Sequence, residues 1–180
     1  DNLCDEEILL YIKNYNNKKS SVDVETHIYR EKDPERFLNQ LNVVNNIIND
    51  QNNGLRTHIV SASGGWGKSM LLLLLAMKKN KRLIAVCPRI DVADSLYNTI
   101  IKDLKGFVNG SNITVELYYN NEVISKNHDN DEGFKSDIVI TIIDGFLRPS
   151  IDNRFSHRLF TVLESDVVFD EFDELECGSA

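Results

Sequence analysis

The run Ser61-Ala62-Ser63-Gly64-Gly65-Trp66-Gly67-Lys68-Ser69 restricts what this chain can fold into more than any other stretch. Before it, the apolar run Thr57-His58-Ile59-Val60 predicts a buried strand. After it, Met70-Leu71-Leu72-Leu73-Leu74-Leu75-Ala76-Met77 predicts a buried helix. Strand, glycine-rich turn, Lys-Ser and helix together describe a phosphate-binding loop. Glycines such as Gly65 and Gly67 let backbone N–H groups converge on phosphate oxygens, and the helix N-terminus adds its positive dipole end. Lys68 is then placed to reach the β- and γ-phosphates, and the Ser69 hydroxyl to help hold Mg²⁺. Ala62 stands where the strictest form of the pattern has a glycine. A glycine-rich turn that merely ends in Lys-Ser is the plainer alternative, and the flanking strand and helix argue against it.

A second stretch completes the chemistry. Asp166-Val167-Val168-Phe169-Asp170-Glu171-Phe172-Asp173 is an apolar strand running into carboxylates. Acids at the end of a buried strand are costly unless they meet a cation. Asp170 is the candidate Mg²⁺ ligand opposite Ser69, Glu171 the residue that orients the attacking water, and Asp173 a link to motions elsewhere. The alternative is an ordinary acidic turn, since Glu164, Glu174 and Glu176 lie nearby.

Between the two motifs the pattern alternates strand and helix. Arg82-Leu83-Ile84-Ala85-Val86-Cys87-Pro88 is a buried strand of the parallel-sheet kind. Ile90, Ala93, Leu96, Tyr97, Ile100 and Leu104 recur at helical spacing. Ile113 to Tyr119 and Asp137 to Ile143 are further strands. Asn120 to Phe134 reads as an exposed acidic loop. A short helix or turn follows Asp144 and is broken by Pro149, and Phe155 to Leu163 reads as helical. Upstream, Asp33 caps a helix with Pro34 in its first turn and Phe37, Leu41, Val44 and Ile48 on one face. That helix stops in the run Asn49 to Gly54. Gln40 lies on it, either as a reader of an adenine base or as a surface glutamine. Ile8, Leu9, Ile12 and Tyr15 suggest a short helix in residues 5–15.

The chain has 180 residues and 42% hydrophobic content, which suits one domain with a short extension. The expected division is an N-terminal extension over 1–32 and an α/β domain over 33–180. A net charge of -8 argues against a generally basic nucleic-acid binder. The cluster Lys78, Lys79, Lys81, Arg82, Arg89, Lys102 and Lys105 is either a local grip on a backbone or a solvated face. Cys4, Cys87 and Cys177 form neither a zinc spacing nor a disulfide framework, so a reducing, cytoplasmic setting is expected. No apolar run has membrane-spanning length. His128-Asp129 invites a metal-phosphohydrolase reading, but His27, His58 and His157 do not supply a matching ligand context, and a solvated loop pair is preferred.

These residues resemble a family. Ala62-Ser63-Gly64-Gly65-Trp66-Gly67-Lys68-Ser69 is similar to motif I of superfamily-2 helicases, with Gly64 in place of the usual Thr and a bulky Trp66. Val86-Cys87-Pro88-Arg89 resembles motif Ia, and Asp170-Glu171-Phe172-Asp173 resembles motif II. Val139 to Leu147 is similar to the Thr-Ile-Asp segment of the CRISPR type I helicase–nuclease. His157-Arg158-Leu159-Phe160 and Ser165-Asp166-Val167-Val168 resemble the approach to motif II in its type I-F branch, whose Phe-x-x-Gln element Phe37 and Gln40 match. The resemblance covers roughly Phe37 to Leu175. It implies a three-layer RecA-like α/β domain with a mainly parallel sheet, a P-loop NTPase using ATP and Mg²⁺. It also implies that the chain is the first lobe of a larger motor, with the second lobe and the nuclease domain absent. By the same resemblance Pro88, Arg89 and Thr141 contact single-stranded DNA, and an RNA-guided CRISPR surveillance complex recruits the whole protein. Helicases of repair, restriction or viral replication share the same motifs. A non-hydrolysing nucleotide-binding module and a small-molecule kinase are the alternatives outside the class.

Overall fold

The computed structural model describes residues 33–63, 65–79, 81–107, 110–119, 122–126, 134–152 and 157–171. The expected helix over 5–15, His128-Asp129, Gly64 and Asp173 lie outside them. The first described helix, α1 (Pro34–Asn52), starts as expected: the Asp33 side chain accepts from the Arg36 N–H at 3.1 Å, with Pro34 in the first turn. It runs four residues into the Asn-rich stretch, through Asn52, before ending. Its buried face carries Phe37, Gln40, Val44 and Ile47. Helix α2 (Lys68–Lys78) follows the glycine-rich turn, and every residue from Met70 to Met77 is buried. A helix apolar all round has to lie inside the molecule, and α2 is held there between α1, α3 and the sheet.

The sheet has five strands: β1 (Leu83–Cys87), β2 (Val115–Tyr119), β3 (Glu122–Lys126), β4 (Ile138–Ile142) and β5 (Asp166–Phe169), in the order β3-β2-β4-β1-β5. All neighbours are parallel except the hairpin β2–β3. Between the strands run α3 (Ile90–Leu104), α4 (Ile143–Ile151) and α5 (His157–Leu163). Helices α1 to α3 share one core with the sheet, and the other face holds Ile84, Val86, Tyr118, Phe134 and Val139 against Ile143, Phe146 and Val162 of α4 and α5. This is the α/β arrangement with a mainly parallel sheet that the resemblance implies. No helix among the described residues is long and apolar enough to cross a membrane.

Three local expectations are corrected. Thr57-His58-Ile59-Val60 is not a strand: the segment carries no ladder, and Ile59 is 95% and Val60 42% exposed. An apolar run becomes a strand only where its backbone groups find a partner, and among the described residues this segment pairs with no strand, leaving the outer edge of β5 open. Within the stretch read as an acidic loop, Glu122–Lys126 forms β3, an edge strand too short and polar to announce itself. Pro149 does not break α4. It sits in the last turn, where it removes one bond to the Gly145 carbonyl and the helix continues to Ile151.

At the N-terminal edge of the sheet, Glu116 and Arg82 are buried and hydrogen-bonded to backbone. The Glu116 carboxylate accepts from the N–H groups of Phe134, Lys135 and Ser136. Arg82 donates through Nε to the Ser136 carbonyl at 2.6 Å and through a guanidinium N–H to the Lys135 carbonyl at 3.0 Å. On the sheet face under α4 and α5, away from this edge, the Arg158 guanidinium lies over the Tyr118 ring at 4.6 Å. Much of the basic cluster belongs to this edge. Lys79 pairs with Asp166 and Gln51, and Lys78 donates to Asn45 at 3.0 Å. Structure therefore accounts for several of these cations before any ligand does.

Burial predicts a sharp contrast in mutational cost. Leu73→Ala, at a fully buried site, should lose about 2–5 kcal/mol, whereas Ile59→Ala should stay within about 0.5 kcal/mol of the parent. Urea unfolding followed by far-ultraviolet circular dichroism measures both.

Candidate nucleotide site

Parallel strands end together, so the C-terminal edge of the sheet collects whatever follows β1, β4 and β5. The Asp170 N–H extends the β5–β1 ladder by donating to the Val86 carbonyl at 3.0 Å. That bond plants the Asp170 carboxylate just past the end of β5. From the other side, the turn before α2 brings Lys68 to the same place, and Lys68 Nζ lies 3.8 Å from Asp170 Oδ1. Two motifs far apart in the sequence thus meet at one point. Lys68 keeps 42% of its side chain exposed while Asp170 keeps 16%, so the ammonium reaches outward over a mostly sheltered carboxylate.

The turn has the backbone that the chemistry needs. Gly65 has φ +77° and Gly67 φ +93°, conformations that side chains rarely adopt. Gly67 is the N-cap residue of α2, and its carbonyl accepts from the Leu71 N–H at 3.2 Å. Ser69 is half-buried in the first turn, beside the N–H groups that a helix start leaves without intrahelical partners. Ala62 is half-buried in the irregular segment leading in. Trp66, bulky for such a loop, is accommodated because it is half-buried against the core that α1 to α3 share.

Gln40 is not a surface residue. It is 3% exposed, and its amide nitrogen donates to the Trp66 carbonyl at 2.7 Å and to that of Gly67 at 3.4 Å. Arg36, one turn earlier on the same face of α1, donates through Nε to the Trp66 carbonyl at 3.0 Å. Sequence reasoning missed Arg36. Its signal was the four-residue spacing to Gln40, which puts both side chains over one spot. Together with Asp33, Phe37, Gly67, Ser69, Met70, Thr99 and Asp103, they line a cavity of about 250 Å³ beside the turn.

The acids also shape their surroundings. Glu171 has φ +51°, an uncommon conformation for a residue with a side chain and one that tends to mark functional turns. Cys87, wholly buried at the end of β1, has its thiol pKa pushed up from 9.0 to about 12, first by burial and then by the negative charge of Asp170 and Glu171. The donors offered to a divalent ion are the Ser69 hydroxyl and the Asp170 carboxylate. A few hard oxygens suit Mg²⁺, which takes its remaining ligands from phosphate and water.

The expected nucleic-acid contacts fare unevenly. Pro88 is half-buried after β1, and Arg89 is exposed with its Nε 3.1 Å from Asp91 Oδ1. Thr141 is corrected: it is 0% exposed, and its hydroxyl donates to the Tyr118 carbonyl at 2.8 Å. It ties β4 to β2 and cannot touch a strand lying on the surface.

Residues 38–178 match the family model described as DEAD/DEAH box helicase. The matched stretch contains the glycine-rich turn, Lys68, Ser69 and the whole acidic run. No curated protein and no solved structure matches the chain significantly.

The Cys87 shift carries a pH signature. Its folded pKa lies above the unfolded value, so the unfolded state loses this proton first as pH rises. The stabilising contribution is complete below about pH 9 and declines toward pH 12. Cys87→Ala should flatten the alkaline limb of the stability profile relative to the parent, measured by denaturant midpoints across that range.

Proposed function

We propose that this chain, which belongs to the DEAD/DEAH box helicase family, is the ATP-binding and hydrolysing first motor lobe of a DNA helicase or translocase. The observation that carries the reading is the 3.8 Å approach of Lys68 Nζ to Asp170 Oδ1 at the shared edge of the sheet. A phosphate loop and an acidic strand end that meet in this way form the two walls of a nucleoside triphosphate site.

Each residue has work suited to its position. Backbone N–H groups of the turn and the start of α2 hold the phosphates, and Lys68 neutralises the β- and γ-oxygens. Ser69 and Asp170 would hold Mg²⁺, which when bound draws off the charge that develops on the phosphate oxygens. Glu171 orients the attacking water and accepts its proton, and Asp173 relays the change to the rest of the motor. Gln40 keeps its amide nitrogen on the loop and already lines the cavity beside it, where its amide oxygen is left to read the adenine base. Phosphoryl transfer asks the protein for position and charge more than for covalent chemistry.

The finer reading is that the whole protein acts on single-stranded DNA in CRISPR interference, recruited by an RNA-guided surveillance complex. Its support is the resemblance of Val139 to Leu147 and of the run into Asp170-Glu171 to that branch, with Pro88 and Arg89 as backbone contacts. Helicases of repair, restriction or viral replication remain the alternative within the class. A small-molecule kinase is disfavoured by the paired acids at the end of β5.

Transition-state charge in such motors is neutralised by an arginine from a second lobe, whose loss lowers the rate on the order of 10³–10⁵-fold. The 180-residue chain is therefore expected to bind ATP weakly and hydrolyse it poorly. In the whole protein, single-stranded DNA should stimulate hydrolysis. Lys68→Ala should abolish nucleotide binding, and Glu171→Gln should preserve binding while suppressing turnover. Undiminished hydrolysis in both variants would refute the site, and rapid hydrolysis by the 180-residue chain alone would refute the need for a second lobe.

A further inference from the structure

A phosphate cradle works only when its peptide planes face the right way. The N–H groups must point at the anion and the carbonyls away from it. Glycines make the cradle possible and also make it unreliable. With φ +77° at Gly65 and +93° at Gly67, and no Cβ at either, the adjoining planes can turn over at little steric cost. Something outside the turn has to hold them.

Helix α1 provides that hold. Arg36 Nε donates to the Trp66 carbonyl at 3.0 Å, and Gln40 Nε2 donates to the same oxygen at 2.7 Å. A carbonyl has two lone pairs and accepts both bonds. In a trans peptide the C=O and the following N–H point in opposite directions. Fixing the Trp66 carbonyl toward α1 therefore aims the Gly67 N–H away from α1, toward the open side of the turn. We propose that Arg36 is a positioning residue for the nucleotide site: with Gln40 it clasps the Trp66 carbonyl and locks the Trp66–Gly67 peptide plane in the anion-binding orientation.

Two further observations support the clasp. A Cβ built on Gly67 would lie 2.5 Å from Gln40 Nε2 and 2.7 Å from a guanidinium nitrogen of Arg36, so the glycine is needed for the approach as well as for its φ. The backbone of Arg36 is itself fixed, its N–H bonded to the Asp33 cap at 3.1 Å. The side chain therefore starts from a rigid helical turn and reaches a loop thirty positions away. Arg36 also lies before residue 38, where the family match begins.

The inference rests on the phosphate-loop reading, and one experiment separates the two. Binding of MgATP and of inorganic tripolyphosphate to the 180-residue chain is measured by calorimetry for the parent, Arg36→Ala, Arg36→Lys and Lys68→Ala. The single tryptophan, Trp66, reports on the loop by its emission. Loss of the clasp should weaken both ligands by the same factor, about tenfold. It should also shift Trp66 emission in the nucleotide-free protein and leave the melting temperature nearly unchanged, because Arg36 is exposed. Arg36→Lys, which still offers a donor, should recover part of the affinity. A loss confined to MgATP would make Arg36 a base contact and overturn the clasp, as would unchanged affinity for both ligands. Unchanged tripolyphosphate binding in Lys68→Ala would instead overturn the phosphate-loop reading itself.

Discussion

Strand β1 is dry on both faces, with all five of its residues buried and a parallel neighbour on each side. A parallel sheet exists only when helices cover both its faces, and the rest of the fold follows from that demand. It draws the leucine-filled α2 onto one side and α4 with α5 onto the other. Crossovers between parallel strands then bring the C-terminal ends of β1, β2, β4 and β5 to the same edge. The meeting of Lys68 and Asp170 is a consequence of this topology, since α2 begins where β1 and β5 finish.

The two edges of the sheet handle charge in opposite ways. At the N-terminal edge, Glu116, Asp137 and Arg82 are buried and answered by neighbouring backbone or by the Thr114 hydroxyl. Such groups are costly to unpair, and they fix one arrangement of the turn before β4. At the C-terminal edge, Lys68 and Asp170 sit nearly 4 Å apart and part-exposed, with Glu171 in a left-handed conformation beside them. The first arrangement is closed to ligands. The second leaves charge available to one.

What the sequence showed depended on whether the cause was local. The glycine-rich turn, the all-apolar α2 and the Asp33 cap announce themselves because each is a short-range pattern with its own chemistry. Asp170 was legible because acids after an apolar run imply a cation. Thr57 to Val60 misled because an apolar run specifies burial only if a partner lies alongside, and pairing is not written in the run itself. The β3 strand was hidden for the opposite reason: its ladder comes from β2 and its own residues are unremarkable. Thr141 looked like a surface contact because its motif was read without its burial. Arg36 was invisible because its role depends on the carbonyl of a residue thirty positions on.

The outer edge of β5, which carries no ladder among the described residues, has a colloidal consequence. A strand edge without a partner is a template on which other chains can stack as β-structure. Here Asp166 opens β5 and Asp170 follows it, so charge brackets the edge at head and tail. The chain's acidic balance, -8 at neutral pH with an isoelectric point near 5.0, keeps copies apart. At the isoelectric point that repulsion vanishes, so the edge that adjoins the nucleotide site is also where self-association would begin.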